Sequence, residues 1–451
     1  MSDGELPEAR VVAGMDSTEI PPEIAPLVGE ISAPRQSPVR TAMAGLIGNV
    51  LEWFDFAVYG FFNTAIGAHF FTKASPGTQK LLAYAVFAAG FLARPVGSIV
   101  LGMVGDRIGR RALLTLSIAL MGAATLAIGC LPTYASIGVF APILLVTLRV
   151  VQGFSLGGEF TGSMVYTTEL SSPLMRGLIS SSTAVGTSLG FILGSLTAYA
   201  IERGLGPADA AAYGWRIPFI ASVVFCILGY FLRHGIHESE HAEAAKAARP
   251  SIWAALHGDR WPMVLTFGIV GMTNVAYYFV FTYATETRKS AGGAGGEVFL
   301  LVNTLSLLVV LLSKPTGGFL SDRVGRLKLM RVLTLALLVV TPPGVWLMLN
   351  GSPTLFFFGQ AMMAIPCGMA LGLQGAMLVE IYPLRTRVMS MSVGYSISLA
   401  LAGGTAPLVS SALLDLGLPP MALAGYVMIY GVIGLALMSR MSETNNNSLH
   451  A

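Results

Sequence analysis

Asn49, Glu52 and Asp55 recur every three residues in a run otherwise made of Val, Leu, Trp, Phe and Ala. On a helix that spacing lays the three polar side chains along one slowly drifting stripe. A stretch this apolar belongs in lipid, where exposed carboxylates are prohibitively costly, so Glu52 and Asp55 must face protein or a watery cavity. Low dielectric favours their protonated forms, which suits groups that load and release protons. A second polar run, Arg149-Val-Val-Gln152-Gly153-Phe-Ser-Leu-Gly157-Gly158-Glu159, falls in another apolar stretch. From entry points near Thr41 and Gly138, Glu52 and Arg149 both lie about 16 Å deep and Asp55 about 21 Å, at roughly 1.5 Å per helical residue. Either Arg149 neutralises Glu52 or Asp55 as a structural ion pair, or it binds an anionic group of a substrate beside Asn49 and Gln152 and leaves the carboxylates free to titrate.

The elements that position these groups follow from composition. Of 451 residues, 54% are apolar and 11% charged, with a mean hydropathy of +0.69. Soluble domains carry about 25% charge, so the surroundings of this chain are largely lipid. The apolar residues fall into about twelve stretches near the length of roughly 20 residues that spans a bilayer, which predicts an all-α membrane protein of twelve transmembrane helices in two six-helix bundles. The predicted domains are a disordered cytoplasmic tail over residues 1–40, a first bundle over 41–233, a polar linker over 234–261, a second bundle over 262–440 and a cytoplasmic tail over 441–451. The net charge of +3 gives no basis for binding nucleic acid. Basic residues gather in alternate loops, around Arg107 and Arg110, Arg176, the linker, Arg323 and Arg326, and Arg385 and Arg387, which places those loops and both termini in the cytoplasm. Trp215 and Trp346, with Trp253 and Trp261 at the other face, fit interfacial belts.

The halves repeat. Gly102-Met-Val-Gly-Asp106-Arg107-Ile-Gly109-Arg110 is echoed by Gly318-Phe-Leu-Ser-Asp322-Arg323-Val-Gly325-Arg326, and Glu169 with Arg176 is echoed by Glu380 with Arg385 or Arg387. Glycines there permit tight turns, while Asp and Arg form charge-assisted contacts at helix ends that can latch one conformation. Parallel repeats place a substrate site between the halves near the bilayer midplane. Arg94, before Pro95, either faces that cavity or contacts the latch, and Glu159 either gates or pairs with a loop arginine. In the second half Asn274, Tyr277 and Tyr278 recur at helical spacing and offer hydrogen bonds and aromatic faces to a solute, with interhelical packing as the alternative. Gly153, Gly157, Gly186, Gly190 and Gly194 suit close helix packing.

These residues carry a resemblance. Gly48-Asn-Val-Leu-Glu-Trp-Phe-Asp-Phe-Ala-Val-Tyr-Gly60, Arg94-Pro95, the Asp106 loop, Arg149 through Glu159 and Gly214-Trp-Arg-Ile-Pro-Phe219 resemble the metabolite:proton symporters of the major facilitator superfamily, which include proline/betaine, citrate, alpha-ketoglutarate and shikimate permeases. The resemblance implies proton-driven uptake of a small molecule through the bacterial cytoplasmic (inner) membrane, with Glu52, Asp55 and Arg149 at functional positions. Thr273-Asn-Val-Ala-Tyr-Tyr278 is similar to the proline/betaine branch, whose long C-terminal coiled-coil tail has no counterpart here. The expectation is therefore a proton-coupled symporter for a small organic acid or betaine-like zwitterion, Arg149 binding its carboxylate and Glu52 and Asp55 carrying protons. Proton-coupled efflux and a transporter-like sensor are the alternatives. No nucleophile–base pair, metal cluster or nucleotide-binding loop stands out, so no enzyme activity, no cofactor beyond the coupling proton and no obligate protein partner are expected.

Overall fold

A chain in hydrocarbon must satisfy every backbone polar group internally, and this one does so with helices. The computed structural model describes residues 38–108, 110–234, 256–292 and 295–445. Among these there is no strand. The twelve helical paths are α1 (Pro38–Phe61, resuming as Asn63–Phe70), α2 (Pro76–Ile108), α3 (Arg110–Cys130), α4 (Phe140–Ser155, resuming as Glu159–Glu169), α5 (Arg176–Leu205) and α6 (Arg216–His234) in the first half. The second half holds α7 (Arg260–Tyr278, continuing to Ala291), α8 (Val298–Val324), α9 (Arg326–Asn350), α10 (Pro353–Ile381), α11 (Arg387–Ser398, continuing to Asp415) and α12 (Ala422–Met438). Eight of the described helices are long and apolar enough to cross a membrane, with shorter apolar helices at Leu116–Cys130 and Ala422–Met438.

Three interruptions refine the predicted spans. Gly158 at φ +106° breaks α4 after Ser155 and restarts it at Glu159, a backbone turn that favours glycine. In α7 a π turn occupies Phe279–Ala284, and in α11 another occupies Leu399–Gly404. Trp215, expected at an interface, is fully buried between Phe70 and Phe219, whereas Trp346 and Trp261 are exposed as a belt requires. Residues 1–37 and 235–255, within the predicted N-terminal tail and linker, lie outside the described residues.

Packing repeats with the sequence. In the first half α1 lies along α5 and α2 along α4; in the second, α7 lies along α11 and α8 along α10, while α5 and α8 meet across the halves. Glycine permits the α2–α4 and α8–α10 approaches: a Cβ on Gly153 would overlap the Gly90 carbonyl, and one on Gly372 the Lys314 carbonyl.

Polar contacts bridge the halves at both ends. At the end bearing the Asp-Arg loops, Asp322 accepts hydrogen bonds from the Gly177 and Leu178 amides (2.8 and 3.0 Å), an anion at the start of α5, and Arg387 pairs with Glu169 at 2.6 Å. At the opposite end Glu286 accepts from the Thr64 amide at 3.2 Å and Lys289 pairs with Glu202 at 2.9 Å. The predicted C-terminal tail is partly docked: Glu443 accepts from the Arg326 and Leu327 amides at 2.6 and 3.1 Å, and the Thr444 hydroxyl donates to Glu380 at 2.9 Å.

Candidate functional site

The polar stripe of α1 turns inward. Asn49, Glu52 and Asp55 are all buried. Glu52 pairs with Arg94 of α2, whose guanidinium lies 5.4 Å from the ring centroids of both Trp53 and Phe56 and 5.5 Å from that of Phe91. Asp55 is held from α4: Arg149 Nη1 donates to its Oδ2 at 3.2 Å and Gln152 Nε2 donates to the same oxygen at 2.8 Å. Gln152 completes the cluster by accepting from Arg149 at 2.7 Å and donating to Thr125 at 2.7 Å. The Arg149 guanidinium lies 3.9 Å from the Tyr59 ring centroid. The sequence left open which carboxylate meets which arginine; two separate pairs form because α1 lies between α2 and α4 contacts rather than facing α4 alone.

Each pair keeps unused capacity. Among the described residues no group donates to Glu52 Oε2 or Asp55 Oδ1, and Arg149 Nε and Nη2 meet no acceptor. A carboxylate oxygen without a donor is where a proton can bond, and a protonated carboxyl no longer offers its arginine a full counter-charge. Buried charges left without a partner are strongly destabilising, so protonation and the position of the arginine are coupled.

Between the halves lies a cavity of about 20 Å³, room for about one water molecule. Its walls are aromatic, from Trp53, Phe160, Phe191, Tyr277 and Tyr395, and its polar groups are Thr187, Asn274, Lys314 and Gln374. With both ends bridged, the space between the halves is contracted in this arrangement. Trp53 belongs both to the wall and to the aromatic bed of Arg94, so the Glu52 pair stands one ring from the cavity; the Asp55 pair lies behind Phe56, Tyr59 and Phe87. Arg149 and Gln152 therefore do not line the cavity in this arrangement.

Of the other residues singled out, Asn49 donates to Ser163 at 3.2 Å, and Asn274 donates to the Val270 carbonyl at 2.9 Å from the cavity wall. Tyr277 lines the cavity, whereas Tyr278 packs against Phe87 and Phe91 and does not. Arg94 does not line the cavity and is paired with Glu52 instead. Glu159 is half-buried and within electrostatic reach of Arg94. In the loop of the second half Arg326 pairs with Asp322 at 2.7 Å and Glu380 at 3.2 Å, and exposed Arg323 lies over Phe319. The side chains of Asp106, Arg107 and Arg110 lie outside the described residues. Sequence reading passed over Lys314, Gln374 and Tyr395. Lys314 had a signal, an ionisable residue deep in an apolar span.

Comparisons with known proteins bear on family and fold. Residues 41–251 match the profile of the "Sugar (and other) transporter" family. The chain is 33% identical over 423 residues to the proline/betaine transporter of Escherichia coli (strain K12), covering 91% of this chain and 84% of that one. It is 34% identical over 395 residues to the citrate-proton symporter of Salmonella typhi, covering 86% and 90%. Among solved structures, the proton:xylose symporter XylE superposes with a TM-score of 0.74 at 17% identity over 92% of this chain, a likeness of fold.

Proposed function

The chain belongs to the metabolite:proton symporter family of the major facilitator superfamily and is a multi-pass membrane protein, and on that premise we propose that it imports a small organic acid or betaine-like zwitterion together with protons. The observation that carries this reading is the pair of buried carboxylates, each held by an arginine within its own half and each keeping one oxygen without a donor, beside a cavity between the halves. Glu52 and Asp55 carry the protons. A proton on Asp55 releases Arg149, whose Nε and Nη2 already lack acceptors, and the guanidinium then takes the solute carboxylate as the cavity widens. Loss of the proton to the other side restores the Asp55–Arg149 pair and expels the solute. Asn274, Tyr277 and Gln374 supply neutral polar contacts from the second half. The loop contacts of Asp322, Arg326 and Glu380 and the Glu169–Arg387 pair close one end during the cycle. The membrane is the bacterial cytoplasmic one, with the Asp-Arg loops and both termini inside, as the loop cations favour.

The test is transport in sealed vesicles with an imposed proton gradient. A labelled carboxylate or betaine is expected to accumulate when the interior is the alkaline side. Outward movement under the same gradient would mean efflux, and absence of counterflow for every solute would mean a sensor.

A further inference from the structure

Lys314 is a buried cation on α8, 1% exposed, and differs from five other buried cations of the molecule. Arg94, Arg149, Lys289, Arg326 and Arg387 each pair with a carboxylate. Lys314 pairs with none among the described residues. Its ammonium instead reaches from the second half to the first, donating to the Ala184 carbonyl at 2.5 Å and the Thr187 hydroxyl at 2.8 Å on α5. It stands eight residues before Asp322, as Ser98 stands eight before Asp106, and Ser98 also reaches across the halves, to Ser396 at 3.0 Å. The repeat thus puts a polar side chain at this register in both halves, and only the second copy is charged.

Lys314 lines the cavity, whose described walls include no acidic residue, and its Nζ lies 5.7 Å from the Tyr277 ring centroid. A desolvated ammonium bonded only to neutral oxygens lacks a counter-charge. We propose that the transported solute supplies it: Lys314 binds the solute carboxylate from the second half and restricts the site to solutes that carry one. The carboxylate takes the place of the Ala184 and Thr187 oxygens, so binding exchanges a tie between the halves for a tie to the solute. The ring wall of Trp53, Phe160, Phe191 and Tyr395 takes the remainder, an apolar body or the ammonium of a zwitterion. Cationic solutes without a carboxylate are excluded by like charge. The inference rests on the uptake reading above, in which Arg149 stays with Asp55 until a proton arrives; Lys314 is the cation available before that.

The experiment uses the full chain, purified and reconstituted. Thermal stabilisation and counterflow without a proton gradient are measured with L-proline and prolinamide, glycine betaine and choline, and citrate and its trimethyl ester. The wild type is expected to respond to at least one carboxylate and not to its neutral or cationic counterpart. Lys314→Gln should weaken that response about tenfold or more and erase the preference, while Lys314→Arg keeps the preference. Retention of the preference by Lys314→Arg together with its loss in Lys314→Gln is an outcome a purely structural lysine would not give. Should Lys314→Gln fail to fold, Lys314→Met, which keeps the length and removes the charge, replaces it. Unchanged affinity and preference in the charge-removing variant, or no response of the wild type to any carboxylate, overturns the proposal. Carboxylate-selective counterflow without gradient-driven accumulation would sink the symport reading and leave Lys314 standing.

Discussion

Around Asp55 in the first half, every charge has an answer within the same half: Arg149 from α4, with Arg94 answering Glu52 from α2. At the matching depth of the second half, α7 and α10 present the amides Asn274 and Gln374, and α8 presents a cation answered by neutral oxygens of the opposite half. The backbones repeat and the charge chemistry does not. A half holding closed ion pairs can gain or lose a proton and reorganise internally, whereas a half with neutral amides and one unmatched cation has its strongest interaction still to make. On the uptake reading proposed above, proton handling falls to the first bundle, and the second adds a cation for the solute to the contact that Arg149 makes from the first.

The comparison breaks first at its charges. Asp55→Asn and Glu52→Gln are each expected to lower gradient-driven accumulation about 100-fold or more while sparing exchange at equal pH, measured with labelled solute in vesicles. Wild-type accumulation in both variants would end the assignment of protons to the first half. Arg149→Lys should lower uptake about tenfold or more, because an ammonium keeps the charge but has no second and third nitrogen to offer a carboxylate while Nη1 holds Asp55 and Gln152. Gly153→Ala and Gly372→Ala test the part the halves share. Each should destabilise the fold by about 1–3 kcal/mol or more, read as a loss of Tm, since the new methyl overlaps a carbonyl of the facing helix. An effect at one position alone would show that the α2–α4 and α8–α10 crossings are not equivalent. The smallest effect is expected at Glu443. Partial burial raises its affinity for a proton, but hydrogen bonds from the Leu327, Lys328, Thr444 and Arg326 amides outweigh this and hold the carboxyl below its ordinary value of 4.5. Its stabilisation is therefore present above that value and lost as pH falls below it, so Glu443→Gln should lower Tm by about 1 °C at neutral pH and by nothing in acid.

Much of this was legible in the sequence, for separable reasons. Hydropathy and the doubled Asp-Arg loop announce the bundles because lipid leaves the backbone few choices. The burial of Asn49, Glu52 and Asp55 follows from a three-residue spacing on an apolar helix. Depth along each helix set Glu52 level with Arg149, yet Asp55, one turn further on, is the carboxylate that Arg149 holds. Which arginine meets Glu52 was not legible, since that depends on the rotation of α1 between α2 and α4, and spacing within one helix carries no information about its neighbours. Lys314 was hidden by averaging: its neighbours hold an 18-residue window of Val298–Val324 at a mean hydropathy of 1.9, so the span reads as apolar although its buried cation lines the cavity. The return of Glu443 and Thr444 to the second loop was equally unreadable, because a short polar stretch after a last helix looks the same docked or free.

The π turns at Phe279–Ala284 and Leu399–Gly404 have a consequence for how the second bundle moves. A wider turn loosens the regular ladder and gives a helix a built-in joint. The first lies in the outer part of α7 and the second midway along α11, where Gly404 rests on the ring of Phe91 with no room for a Cβ. The segment beyond the first of them, Thr285–Ala291, carries Glu286 and Lys289, whose contacts with Thr64 and Glu202 tie the halves together at that end. The regular ladder is thus interrupted just before the residues that hold that mouth shut, so parting them asks little of the helix that presents Asn274 and Tyr277 at the centre.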